Sequence, residues 1–174
     1  MRRVRLSIAL LLAFTCGVAA TLAAKKPFDP AVYSGKDPKA AAEALLAAAE
    51  PIAGTGSWER IGIGRVHYLS GDKAKGQALF DLAIAKKTES SDLERIATVY
   101  AVAKEWDKAK PLFERAMTMS PGDDTLMMEA GCWFNLNGDR ARAEELFGKA
   151  FAKNPEDVWH YVNAAASYLG EPPF

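Results

Sequence analysis

From residue 57 onward, apolar positions recur at helical spacing, and short polar or glycine-containing breaks interrupt them at regular intervals. The pattern predicts first-of-pair helices at 57–69, 91–103, 124–136 and 157–169, and second-of-pair helices at 73–86, 106–119 and 140–153. Gly71-Asp72 and Gly138-Asp139 form the turn inside two pairs, because glycine accepts the positive φ that a tight helix end needs. Between pairs, Pro121-Gly122 and Asn154-Pro155 stop one helix, and Asp123 and Asp157 stand ready to cap the next. Ser91-Asp92-Leu93-Glu94 reads as a capping box. Upstream, Asp37-Pro38 starts an alanine-rich helix over Lys39 to Glu50, which Pro51 to Gly56 ends.

The rhythm is a true repeat. Residues 106–121 and 140–155 match at an offset of 34 residues, with Ala109/Ala143, Phe113/Phe147, Ala116/Ala150 and Pro121/Pro155 superimposed. A period of this length means stacked helical pairs, none of which buries its apolar face alone. The unit resembles the tetratricopeptide repeat. The match runs through Met127, Ala130-Gly131, Phe134, Ala143, Phe147, Ala150 and Pro155, and in the preceding unit through Leu93, Ile96-Ala97, Tyr100, Ala109, Phe113, Ala116 and Pro121. The first unit diverges, with Ile63-Gly64, His67, Gly76, Phe80 and Ala83, and Thr88 in place of the proline. The resemblance implies an all-α, right-handed solenoid of about three helix pairs, preceded by a half-unit helix and closed by a C-terminal capping helix. In such a stack the small residues mark close helix crossings, and Phe80, Phe113 and Phe147 are wedges filling the gap to the next unit.

Domain organisation follows: a leader over 1–24, a flexible tether over 25–36, the repeat domain over 37–170 and a short tail, 171–174. The leader has the parts of a secretory signal, with Arg2, Arg3 and Arg5 ahead of an apolar run from Leu6 to Val18 and a small-residue end. The run is short for a membrane span, although Ala19 to Ala24 could extend it into an uncleaved anchor. The expected location is therefore the periplasm, with secretion or inner-membrane anchoring as alternatives. Without its three arginines the chain carries 19 basic against 22 acidic side chains, a net charge of −3. That mild acidity argues against nucleic acid and gives no polybasic handle for anionic lipid. Cys16 lies in the leader, so Cys132 is alone in the mature chain and no internal disulfide can form. Three readings of Cys132 stay open: a buried small hydrophobe, an intermolecular disulfide or a reactive thiol.

Candidate chemistry is thin. No metal-spaced Cys/His set, phosphate-binding glycine loop or nucleophile motif occurs in the sequence, so no enzyme activity, cofactor, metal or small-molecule substrate is expected. His67 stands where the family has a buried aromatic and reads as a core residue. Glu144-Glu145 reads as a solvated face and Asp123-Asp124 as a helix cap. The resemblance instead implies a concave groove lined by the first helix of each pair, taking a protein or peptide. Its lining maps to Trp58, Ile61, Arg65 and Leu69, then Glu94, Thr98 and Val102, then Met128, Cys132, Asn135 and Leu136, with Trp159 from the last helix. The family members that grip C-terminal carboxylates use lysine and asparagine at set positions. Here Ile61, Arg65, Glu94 and Thr98 stand there instead, so that clamp is not implied. Two further readings stay open: a groove covered by the first helix or the tether, and a structural, self-associating module.

Overall fold

The structure, a computed structural model, describes Phe28–Phe174. The leader and residues 25–27 of the tether lie outside the described residues. Among the described residues, eight α-helices follow a single 3-10 turn at Pro30–Val32: α1 (Pro38–Ala53), α2 (Ser57–Leu69), α3 (Lys73–Ile84), α4 (Ser90–Val102), α5 (Trp106–Met119), α6 (Asp124–Leu136), α7 (Arg140–Lys153) and α8 (Val158–Tyr168). The fold is an all-α solenoid, and its helix ends fall within three residues of those predicted from the sequence.

Three antiparallel hairpins, α2–α3, α4–α5 and α6–α7, make up the stack. The inner helices α2, α4, α6 and α8 touch one another in a row. Each outer helix touches its own partner and the next inner helix, α3 on α4, α5 on α6 and α7 on α8. Among the described residues, no outer helix touches another outer helix. The row of inner helices therefore forms the concave side.

Local chemistry explains the ends. Asp72, Asp123, Asp139 and Asp157 each accept a backbone N–H from the first turn of the following helix. Gly71, Gly138 and Gly170 have φ of 107°, 87° and 87°. In the middle hairpin the same left-handed position is held by Lys104, at φ 61°, which an L side chain adopts at a cost. Two sequence expectations shift here. The capping box at α4 is built from Glu89 and Asp92, not from Ser91 and Glu94, because the helix starts at Ser90 and the Glu89 N–H donates to Asp92 Oδ2 at 3.2 Å. Helix α1 also continues through Pro51 to Ala53. Pro51 and Ala47 are both exposed, so the carbonyl that loses its partner faces water.

Packing repeats from unit to unit. Phe80, Phe113 and Phe147 are 1%, 0% and 5% exposed. The Phe80 and Phe147 rings each lie over a glycine of the partner helix. A Cβ added to Gly64 would lie 2.7 Å from Phe80 Cε1, and one added to Gly131 would lie 2.7 Å from Phe147 Cε1. The first hairpin is tighter still, since a Cβ on Gly76 would meet the Gly64 carbonyl oxygen at 2.7 Å. The next inner helix closes each wedge: Tyr100 stands edge-on to Phe80 at 6.0 Å and Tyr168 edge-on to Phe147 at 6.1 Å. Trp106 bridges Phe113 and Phe134, at 6.2 and 5.1 Å.

Charges add staples between units. Glu105 accepts from Tyr68 Oη at 2.6 Å, pairs with Lys108 at 2.7 Å and binds Lys73. The lysines, Lys108 foremost, hold its carboxyl down to about 2. Arg142 of α7 does the same work for the last two hairpins, reaching Glu114 of α5 at 2.8 Å, while Glu145 of its own helix holds it at 2.6 Å.

Helix α1 is different. It has no buried residue and, among the described residues, packs on α2 and the 3-10 turn, with a single ion pair to α3. A cleft of about 940 Å³ opens between them, lined by Leu46, Val66, His67 and Lys75 among others. His67 is buried, as the sequence implies, with Nε2 3.5 Å from Glu50 Oε1, which also pairs with Lys75 at 2.5 Å. That lysine keeps the Glu50 carboxyl below its ordinary range.

Two substitutions test this packing. Phe113→Ala should cost about 3–5 kcal/mol in urea denaturation, as expected for a fully enclosed aromatic. Lys104→Gly should stabilise by about 1 kcal/mol by removing the left-handed strain. A loss below 1 kcal/mol for the first would place Phe113 outside the core.

Candidate functional site: the concave groove

The inner helices enclose a groove of about 390 Å³ between α2, α4 and α6. Of the sequence-predicted lining, Trp58, Ile61, Arg65, Glu94 and Thr98 meet there. Ile61 is 3% exposed and forms floor rather than wall. The other predicted residues are elsewhere. Met128 and Cys132 are fully enclosed beneath the inner face. Leu69, Val102 and Leu136 are each the last residue of an inner helix, next to the hairpin turns. Asn135 donates from Nδ2 to Ser167 Oγ at 3.0 Å and ties α6 to α8. Trp159 is half-exposed on α8, its ring 6.4 Å from that of Phe174.

Burial also decides among the readings of Cys132. It is 0% exposed, and desolvation pushes its thiol up to about 12. It behaves as a small core hydrophobe, beyond reach of a second chain and far from thiolate chemistry. His160, likewise 2% exposed, sits edge-on to Phe151, with Nε2 3.6 Å from Asp124 and 3.7 Å from Asp157.

Sequence reasoning missed several groove residues: Gly62, Arg95, Val99, Glu129, Trp133 and the tail pair Pro173 and Phe174. Gly62, Arg95, Glu129 and the α8 residue Asn163 occupy equivalent places in successive units. That row was legible at the repeat spacing, one residue along from the row containing Ile61 and Glu94. Gly62 leaves space on α2. Arg95 lays its guanidinium over the Trp58 ring, 3.7 Å from the centroid, joining α2 to α4. Glu129 lines the same groove as Glu94 and acts on its carboxyl group, α6 on α4. Burial, then Glu129, raises the Glu94 carboxyl to about 9, against a smaller opposing pull from Arg95. Glu94 is therefore a neutral donor at pH 7. Beside it, Trp133 is 6% exposed and its Nε1–H has no partner. Chemically, this floor offers hydrogen-bond donors and acceptors inside aromatic walls, suited to holding main-chain groups. Among the described residues, no group of three or more His, Cys, Asp or Glu side chains is placed to hold a metal ion, and no helix is long and apolar enough to cross a membrane.

Comparison with known proteins gives the architecture its name. No family model and no curated protein matches the chain. Among solved structures it is similar to YrrB, described as a TPR protein with an unusual peptide-binding site. The TM-score is 0.53 at 18% sequence identity, over 74% of this chain and 68% of that one. The fold is that of the tetratricopeptide repeat. Tetratricopeptide geometry accounts for the inner row of helices and for the small residues at each crossing.

The Glu94–Glu129 pair predicts a pH dependence. With its folded value above the ordinary carboxylate value, Glu94 binds more proton in the native state than in the unfolded one between about pH 4.5 and 9. Stability from this group is thus full below that window and lost as pH rises through it. Thermal melts from pH 5 to 9 should show Glu94→Gln gaining on the wild type with pH, by about 3–6 °C at the upper end. Parallel curves would mean that Glu94 is ionised throughout.

Proposed function

We propose that the protein is a scaffold that binds a protein or peptide segment along its concave face. The observation that carries this reading is the convergence of Trp58, Arg65, Glu94, Thr98, Glu129 and Trp133 on one groove. Aromatic and arginine side chains are the usual anchors of interfaces, and the buried polar floor suits an extended main chain better than a small metabolite. The likeness to YrrB, itself described as having a peptide-binding site, supports the same class.

The leader reading supports action after export, in the periplasm, as an adaptor in envelope assembly or secretion. Secretion beyond the envelope and anchoring by an uncut leader are the alternatives. The mass of the mature chain separates them: loss of about 20 residues at the N-terminus fits export with cleavage.

A second reading, self-association, draws on the outer surface of α8. With no outer helix to cover it among the described residues, α8 leaves Val158, Tyr161 and Leu169 61%, 53% and 82% exposed. Sedimentation velocity across a concentration series would show a dimer if this face pairs copies.

Groove binding is tested by selecting ligands from a random peptide library on the full-length chain and measuring them by calorimetry. Trp58→Ala and Arg65→Glu, both at exposed positions, should weaken the selected peptides at least tenfold, or about 1.4 kcal/mol. Melting temperatures near wild type would exclude unfolding as the cause. Ligands indifferent to both changes would remove the groove from the function.

A further inference from the structure

The tail is not free. At the end of α8 the Glu171 N–H donates to the Ala166 carbonyl at 3.0 Å. The Asp139 N–H donates to Phe134 at 3.0 Å, and the Glu105 N–H to Tyr100 at 2.9 Å, in the same way. At those two places the chain then enters an outer helix. After Gly170 it cannot do so readily, because Pro172 and Pro173 keep the residues before them extended. The chain crosses the inner face instead. The Phe174 N–H donates to Asn163 Oδ1 at 3.0 Å, and the Phe174 ring lies against Trp159. Pro173 and Phe174 join Trp58, Arg65 and Trp133 in lining the groove.

We propose that residues 171–174 act as the groove's own ligand. The partner segment that displaces them has the same chemistry: an extended stretch in which an aromatic residue follows prolines. The proposal rests on the groove reading above and makes it more specific. Asn163 supplies the main-chain contact, in the row that includes Arg95 and Glu129. Trp159, which occupies in α8 the place of Trp58 in α2, supplies the aromatic contact. A proline-led segment is extended before it binds, so ordering it costs little. The tail's hold is shallow, since Phe174 remains 84% exposed. Its strength comes from attachment: a short tether presents a group at an effective concentration of about millimolar. A partner must therefore outcompete the tail, and the tail screens out weak ligands.

The experiment uses the full-length chain, its Phe174→Ala and Phe174→Tyr variants, and an amidated synthetic peptide of residues 170–174. Indole N–H signals in ¹H–¹⁵N spectra report the groove through Trp58 and Trp133 and the Phe174 contact through Trp159. Trp106, packed against Phe113 and Phe134, is the internal control. Phe174→Ala should shift the groove indoles and leave Trp106 in place, and Phe174→Tyr should restore them. The peptide should bind Phe174→Ala roughly 3- to 10-fold more tightly than wild type, as release of a millimolar internal competitor requires. Adding Trp159→Ala should abolish that binding. Unchanged indole signals, equal binding to both chains, or no binding to Phe174→Ala would each overturn the proposal. Library-selected peptides that depend on Trp58 but ignore Phe174→Ala would overturn it while leaving the scaffold reading intact.

Discussion

Phe80 and Phe147 can enter their slots only because Gly64 and Gly131 have nothing where a larger side chain would stand. That exchange, a large ring against a missing side chain, sets the distance between inner and outer helices in those two hairpins. It also fixes the angle at which the next hairpin leans, because Tyr100 and Tyr168 close over the wedges before them and Trp106 links Phe113 to Phe134. The groove inherits its width from this stacking: Trp58, Glu94 and Glu129 face one another across it because the helices beneath them are held one wedge apart. A single methyl group at Gly76 would reach the opposite backbone, so the first hairpin has no slack at all.

Electrostatics follows the same division of labour. The paired charges that join units, Glu105 with Lys73 and Lys108, and Arg142 with Glu114, have opposite signs and sit at the margins. There, partial hydration keeps the desolvation penalty small. Inside the groove, two like groups meet. Glu94 holds its proton first because burial disfavours its charged form and then because Glu129 stands beside it, and Arg95, stacked on the Trp58 face, offsets that only partly. A polar floor beneath aromatic walls costs stability, and its position on the inner row gives it a role that packing alone does not require.

Most of the fold was legible in the sequence because the period did the work. Alanine, phenylalanine and proline recurring at one spacing locate the last two hairpins, Phe80 and Ala83 carry the rhythm back into the first, and local caps such as Asp72 and Asp157 confirm the ends. The places where reading fell short are places where residues depart from the periodic rule. Lys104 takes a left-handed turn that its neighbours give to glycine. Asp92 folds back to Glu89, moving a cap two residues upstream. The site was half legible. Trp58, Arg65, Glu94 and Thr98 followed from repeat register, whereas Met128 and Cys132, at equivalent register, are buried. Register specifies a helix face, but only the neighbouring helices determine how much of that face stays open. The Glu94–Glu129 pair and the Phe174 contact are tertiary meetings between units, and nothing local in either segment announces them.

Helix α1 carries a different consequence. In a stack held together by nearest neighbours, each element is as firm as the contacts it makes with the next one. Among the described residues, this helix packs its backbone against α2 and the 3-10 turn, reaches α3 through one ion pair, and buries no side chain of its own. Its hold on the body runs largely through Glu50, shared between Lys75 and His67. Amide protons of α1 therefore exchange with solvent through openings that leave the three hairpins closed. Such local melting would bare the Val66 face of α2 as a fresh apolar edge, giving the N-terminal end of the solenoid a second, transient surface independent of the groove.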